Sequence, residues 1–205
     1  MGARRTALLL AGGRSVRMGT SKALLPWGSG TMLEAVLEPL REACAKVVVV
    51  AHVGQTLPPL PPGVSRVDDP VELDDQGPLV GLLCGLAVLD DDDLVQLAAT
   101  DKPHLTASAV RWMFERVGEA DAAVPVEAEG STRRHRMHPL SGVLRVGPAR
   151  AAATSLISAG ERALRRVFEA LDCNEVRVAD LPDPAVLRDY NTPEAYAAGR
   201  GDDEP

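Results

Sequence analysis

Aromatic side chains are scarce: two tryptophans, two tyrosines and two phenylalanines make up 3% of the 205 residues. A protein that stacks single-stranded bases needs a surface rich in such rings, so that class is excluded. Basic charge is also in short supply, with 22 Lys and Arg against 29 Asp and Glu and a net charge of −7. Neither a general nucleic-acid binder nor a protein drawn to anionic membranes has that balance. The three cysteines, Cys44, Cys84 and Cys173, are isolated and odd in number, which suits neither a disulfide framework nor a zinc site. They read as small buried apolar residues. Long hydrophobic runs are missing as well. The longest uncharged apolar stretches, such as residues 79–89, fall far short of the ~20 residues that cross a bilayer. The start, Met1-Gly2-Ala3-Arg4-Arg5, leads into an apolar run too brief for a signal-peptide core, so a cytoplasmic protein is expected.

What is present suits one sizeable α/β domain: 45% of the residues are hydrophobic and 25% charged. Residues 7–11 form an unbroken apolar run that ends in Gly12-Gly13, the pattern of a buried parallel strand opening into a loop. Thr31 and Glu34 have the capping-box spacing, and Leu33, Val36, Leu37 and Leu40 follow at helical intervals, predicting a helix over 31–45. Four consecutive valines within 46–51 predict the next strand and complete a βαβ unit.

Further along, 58–62 is a proline-rich loop, 64–67 a short strand, and Gly77-Pro78 opens a helix to about residue 89. Asp90 to Asp93 reads as a solvated turn, with a metal site as the weaker alternative. Then come a strand over 94–99, a helix capped by Thr106 and running to about 117, strands near 122–126 and 140–146, helices over 148–158 and 161–171, and a last strand over 175–179. No repeat or linker divides the chain, so residues 1–198 are expected to form one domain with a mostly parallel sheet, and 199–205 a disordered polar tail.

The densest chemical signal is Leu10-Ala11-Gly12-Gly13-Arg14-Ser15-Val16-Arg17-Met18-Gly19-Thr20-Ser21-Lys22. Glycines let backbone N–H groups approach a phosphate chain closely, and Arg17 and Lys22 add positive charge. It is not a P-loop, because Thr20 and Ser21 separate Gly19 from Lys22, and adjacent Gly12-Gly13 does not fit the dinucleotide fingerprint. A plain turn flanked by surface cations is the alternative for Gly12-Gly13 alone. The whole segment resembles the nucleotidyltransferase signature L-A-G-G-x-S-x-R-M-G-x-x-K of the molybdenum cofactor guanylyltransferases (the MobA-like family), and every fixed position is met.

The resemblance extends along roughly residues 7–196. Gly77-Pro78-Leu79-Val80-Gly81 looks like the family's G-P-L-A-G segment, and Thr100-Asp101-Lys102-Pro103-His104-Leu105 like its C/T-D-x-P-x-L. His138-Pro139-Leu140 and Asn191-Thr192-Pro193-Glu194 match weaker segments of the second half. By this resemblance the fold is a single-domain Rossmann-like, GT-A-like nucleotidyltransferase. Leu10, Ala11, Gly12, Gly13 and Lys22 meet the nucleotide, Asp69 (or Asp68) recognises the guanine ribose or base, and Asp101 holds Mg²⁺. Asp101 read alone serves equally as a helix cap or turn residue. Lys102 stands where an apolar residue is expected, and it either touches phosphate or faces solvent. His52 stands near a position where the family often presents asparagine, which weakens any assignment of base contacts there. Arg133, Arg134, His135 and Arg136 form a basic cluster that either meets a phosphorylated acceptor or is a surface loop.

The implied reaction is transfer of GMP from GTP to the phosphate of molybdenum-carrying molybdopterin, with Arg17, Lys22 and Asp101 as the catalytic set. Implied partners are GTP, the molybdopterin acceptor, other proteins of molybdenum cofactor biosynthesis and recipient molybdoenzymes, with no nucleic acid and no membrane. The alternatives are a cytidylyltransferase or another nucleotidyltransferase with a different phosphorylated acceptor, and a non-catalytic nucleotide-binding module. Related cytidylyltransferases usually carry L-A-A-G, so Gly12 is the main sequence reason for guanine.

Overall fold

Continuous apolar runs are what a parallel strand needs when helices cover both its faces, and the first half of the chain is built on them. The computed structural model describes residues 3–12, 21–69, 77–128 and 135–201. Strand β1 (Arg5–Leu10) is followed by a small hairpin of β2 (Pro26–Trp27) and β3 (Gly30–Thr31), helix α1 (Met32–Ala43), β4 (Lys46–His52) and β5 (Val64–Asp69). Helix α2 (Pro78–Leu86), β6 (Leu94–Ala99), α3 (Ala107–Arg116) and β7 (Ala122–Ala128) come next. The chain closes with β8 (His135–Met137), β9 (Val143–Arg145), α4 (Val146–Ser158), α5 (Arg165–Ala170), β10 (Cys173–Arg177) and α6 (Pro193–Gly201).

The main sheet runs β10-β7-β9-β6-β1-β4-β5, with β8 added beside β7. Pairs β6–β1, β1–β4, β4–β5 and β10–β7 are parallel, whereas β9 runs antiparallel to both β6 and β7, and β8 antiparallel to β7. Helices α1 and α3 pack on one face around Leu9, Val49, Leu37 and Phe114, and α2, α4 and α5 on the other around Leu8, Val48, Leu82 and Phe168. Helix α2 lies unusually close to the sheet at Gly85, where a Cβ would come within 2.9 Å of Leu8 and Val50 side-chain carbons.

The capping box at α1 forms as expected, with Glu34 N donating to Thr31 Oγ1 at 3.3 Å and Thr31 N donating to Glu34 Oε2 at 2.8 Å. Thr106 Oγ1 caps α3 by accepting from Ala109 N at 3.2 Å. Several expectations need correction. Helix α2 stops at Leu86, short of residue 89. The strand expected over 140–146 is confined to Val143–Arg145, because Pro139–Ser141 coil into a 3-10 turn. Helix α5 spans only Arg165–Ala170, and β10 begins at Cys173, two residues before the expected start. Helix α6 runs through Gly201, and at Gly199 it presses on the Tyr190 ring, which a Cβ would meet at 2.2 Å. Residues 202–205 lie outside the described residues.

The acidic run is not a uniformly solvated turn. Asp93 is 3% exposed and accepts from Arg4 Nε at 3.1 Å and Nη2 at 2.8 Å, while Asp90 also pairs with Arg4 and Asp91 with Arg150. A buried carboxylate persists because the guanidinium supplies charge and two donors. The cysteines are free but half-buried rather than buried. Burial pushes the Cys44 thiol up to about 12 and the Cys173 thiol up to about 11, which keeps both protonated and inert. No helix among the described residues is long and apolar enough to cross a membrane.

Candidate active site

Strands β1, β4, β5 and β6 are parallel, so their carboxyl ends share one edge, and residues that follow them in sequence are brought together there. The chain leaves β1 toward β4 on one side and reaches β6 on the other, which makes the β1/β6 boundary the switch point where α/β sheets open a crevice. A cleft of about 270 Å³ lies at that boundary. Its described lining includes Leu10, Ala11 and Gly12 from the end of β1, Thr100 and Asp101 from the end of β6, Lys22, and Asn191 from the C-terminal segment.

Lys22 opens the 3-10 turn Lys22–Leu24, and its Nζ lies 3.6 Å from Asp101 Oδ2 and 2.5 Å from Asn191 Oδ1. Residues 169 positions apart thus meet across the cleft. The segment carrying Asn191 is fixed through its neighbour: Tyr190 N donates to the Asp101 carbonyl at 3.0 Å, and the Tyr190 hydroxyl pairs with His104 Nε2 at 2.7 Å. The Tyr190 ring packs on Trp27 with centroids 4.9 Å apart, and Tyr196 adds a third ring. Half of the chain's few aromatics therefore clamp the C-terminal segment beside Lys22.

Asp101 Oδ1 is buried with no hydrogen-bond partner among the described residues. An orphaned buried carboxylate oxygen is costly unless something binds it. Mg²⁺ commonly takes one or two protein carboxylates and completes its shell with phosphates and water, so a single carboxylate in a cleft of this size fits that ion. No group of three or more His, Cys, Asp or Glu is gathered among the described residues, so any such ion would depend on the substrate for most of its oxygens.

Asp69, at the end of β5, does not border the cleft directly. Its Oδ1 lies 2.8 Å from His52 Nδ1, and the imidazole in turn covers Gly12, where a Cβ would sit 3.1 Å from Nε2. A side chain at this position would make the imidazole shift by a few tenths of an ångström. Asp68, the other candidate, faces outward and pairs with Arg66 at 2.7 Å. Gln55 is a contributor that the sequence reading missed: its Nε2 donates to the Ala11 carbonyl at 2.9 Å and its Oε1 accepts from His52 N at 3.1 Å. No motif marks it, because it acts from an irregular loop through backbone groups. Gly13, Arg17, Arg133 and Arg134 lie outside the described residues.

Of the two readings of Lys102, the solvent-facing one does not hold: it is 8% exposed, and its Nζ donates to Ser141 Oγ at 2.8 Å. Burial lowers its pKa, opposed by the nearby Asp101 and Asp189. His138 is similarly lowered, first by burial and then by Lys102 and Arg136, so its imidazole is neutral at neutral pH.

A doubly covered, mostly parallel sheet with Gly12, Lys22 and Asp101 converging at its switch point defines an α/β domain of the nucleotidyltransferase class. The chain belongs to the MobA-like NTP transferase domain family, whose model matches residues 7–176. It is 36% identical over 177 residues to a protein of Mycobacterium tuberculosis named probable molybdenum cofactor guanylyltransferase, covering 84% of this chain and 83% of that one. Among solved structures it superposes on molybdopterin-guanine dinucleotide biosynthesis protein A from Archaeoglobus fulgidus with a TM-score of 0.72 at 18% identity, covering 96% and 97% of the two chains. The fold is equally shared with 2-C-methyl-D-erythritol 4-phosphate cytidylyltransferase from Thermus thermophilus, with a TM-score of 0.69 at 18% identity and coverage of 95% and 96%.

Proposed function

We propose that this protein transfers GMP from GTP to the terminal phosphate of molybdenum-carrying molybdopterin. An acceptor phosphate oxygen attacks the α-phosphorus in line. The new bond forms between that oxygen and phosphorus as the bond to the β-phosphate oxygen breaks, and pyrophosphate leaves with the electron pair. A phosphate monoester is largely dianionic at neutral pH, its second pKa being about 6, so the attacking oxygen needs no general base. That accords with a cleft whose described lining holds no histidine or nucleophile pair. The observation that carries the reading is the meeting of Lys22 and Asp101 across the cleft at the β1/β6 switch point.

Catalysis here is positioning and charge neutralisation. Lys22 binds the triphosphate, with Asn191 setting the direction of its ammonium, and Arg17 is assigned to the same phosphates. The Gly12 and Gly13 backbone approaches the nucleotide closely, with Leu10 and Ala11 beside it. Asp69 acts on the ribose or base through its position beside His52. Asp101 would hold Mg²⁺, which when bound withdraws charge from the phosphate oxygens. We assign the reaction to the cytoplasm, with its product passed to recipient molybdoenzymes.

The test is pyrophosphate release from purified protein with Mg²⁺ and molybdate-loaded molybdopterin, comparing GTP with CTP. Release with GTP alone is expected. The cytidylyltransferase fold likeness makes CTP the competing substrate, and a preference for CTP would overturn the base assignment while leaving the transfer chemistry in place. Tight GTP binding without release would favour a binding-only module.

A further inference from the structure

Lys102 is used by no step of the proposed reaction, yet it adjoins Asp101 and is 8% exposed. An ammonium has three donors. Only one acceptor, the Ser141 hydroxyl at 2.8 Å, is found for it, and no carboxylate within 4.0 Å pairs with it among the described residues. Asp101 and Asp189 act on it only from a distance, and a buried cation with no carboxylate in direct contact is expensive, so such groups gather where a ligand supplies the missing contact.

A second buried orphan lies in the same place. His138 Nε2 has no hydrogen-bond partner among the described residues, and Glu127 Oε2 lies 3.8 Å away. His138 and Ser141 belong to one turn, with Ser141 N donating to the His138 carbonyl at 3.0 Å, and Leu140 between them lines the cleft. Arg136 stands two residues before His138, more than half exposed, 3.8 Å from Asp189. Asp189 precedes Tyr190, which is bonded to the Asp101 carbonyl.

Topology then fixes the relation of these groups to Gly12 and Lys22. Strand β6 lies between β1 and β9. Lys22 and Gly12 line the cleft from the β1 side of Asp101, and Leu140, which sits between His138 and Ser141 in the chain, lines it from the β9 side.

We propose that Lys102, with Arg136 and the Nε2 edge of His138, forms a second anion subsite that takes the phosphate monoester of the acceptor. This rests on the nucleotidyl-transfer reading above. Two anions must meet at the α-phosphorus, and cations on opposite sides of Asp101 divide their charge between them. Neutral His138 as the Nε2–H tautomer donates to a phosphate oxygen.

The probe is inorganic phosphate, titrated calorimetrically into the full chain with Mg²⁺ and a non-hydrolysable triphosphate analogue filling the glycine-loop side. Guanine and cytosine analogues are used in separate runs, and the titration is repeated without nucleotide. In Lys102→Met, phosphate affinity is expected to fall about tenfold or more, with analogue affinity changed less than about twofold. Ser141→Ala, which keeps the charge, is expected to hold phosphate affinity within about threefold. Equal phosphate affinity in wild type and Lys102→Met would overturn the subsite, and so would an equal loss in Ser141→Ala, which would make the link structural. Should Lys102→Met fold poorly, Arg136→Ala gives the same readout from an exposed side chain. Phosphate binding that survives with the cytosine analogue but not the guanine one would sink the base assignment and keep the subsite.

Discussion

The two ends of the sheet are built differently. Strands β1, β4 and β6 are parallel, flanked by neighbours on both sides and almost fully buried, with β5 closing that edge. On the other side β8 and β9 are three residues each, and β8 is largely exposed. The first region fixes Gly12 and a carboxylate at rigid strand ends, as binding a common nucleotide requires. The second offers short strands, a 3-10 turn and exposed cations, a surface whose details can differ while the nucleotide side stays the same. One strand, β6, belongs to both: it pairs with β1 along its whole length and with β9 only at its start.

The sharpest test of this contrast is at the edge of the parallel region. Asp101→Ala and Lys22→Ala are each expected to lower kcat by ~10²–10³-fold, because each removes a preorganised charge from the reacting phosphates. Circular dichroism should show an unchanged fold, and near wild-type turnover in either variant would break the assignment. Next in size is core truncation on each side. Leu9→Ala, between β4 and β6, is expected to cost about 2–5 kcal/mol, and Phe168→Ala, whose ring fills the space beside Gly142, about 3–5 kcal/mol. A single denaturant transition in both variants fits one shared core, whereas separate transitions would make the regions independent units.

The smallest effect concerns His138. Its folded pKa lies below the ordinary 6.5, so the unfolded chain takes up the proton first and acid favours unfolding. Its contribution is present above pH 6.5 and is lost as pH falls through the lowered folded value. The difference in Tm between wild type and His138→Gln should therefore shift against wild type as pH falls from 6.5 towards the lowered folded value. A constant difference would show that the imidazole is not held neutral.

The same contrast explains what could be read from residues alone. The Leu8 to Leu10 and Val47 to Val50 runs announce parallel strands because burial on both faces demands continuous apolar sequence, and Thr31 with Glu34 announces a helix start by local chemistry. Lys22 and Asp101 were legible as candidates because they sit in motifs with fixed spacing. The β8 and β9 strands were not, since three residues such as His135-Arg136-Met137 show no period and are set by pairing with β7. The inward turn of Lys102 was hidden for a related reason: nothing local to a lysine before proline decides between its two readings, and the hydroxyl of the remote Ser141 that receives its ammonium is met only in the folded chain. Gln55 and the His52–Asp69 pair likewise depend on loop and strand ends that meet only in the folded chain.

The clamp of rings around Tyr190 also has an optical consequence. Trp27 and Trp112 are the chain's two indoles. Trp112 lies under the Arg116 guanidinium on α3, while Trp27 touches Tyr190, the residue bonded to the Asp101 carbonyl. With Trp112 replaced by phenylalanine, emission from Trp27 becomes a built-in reporter of the C-terminal segment against the cleft, readable at each nucleotide concentration without attaching a dye.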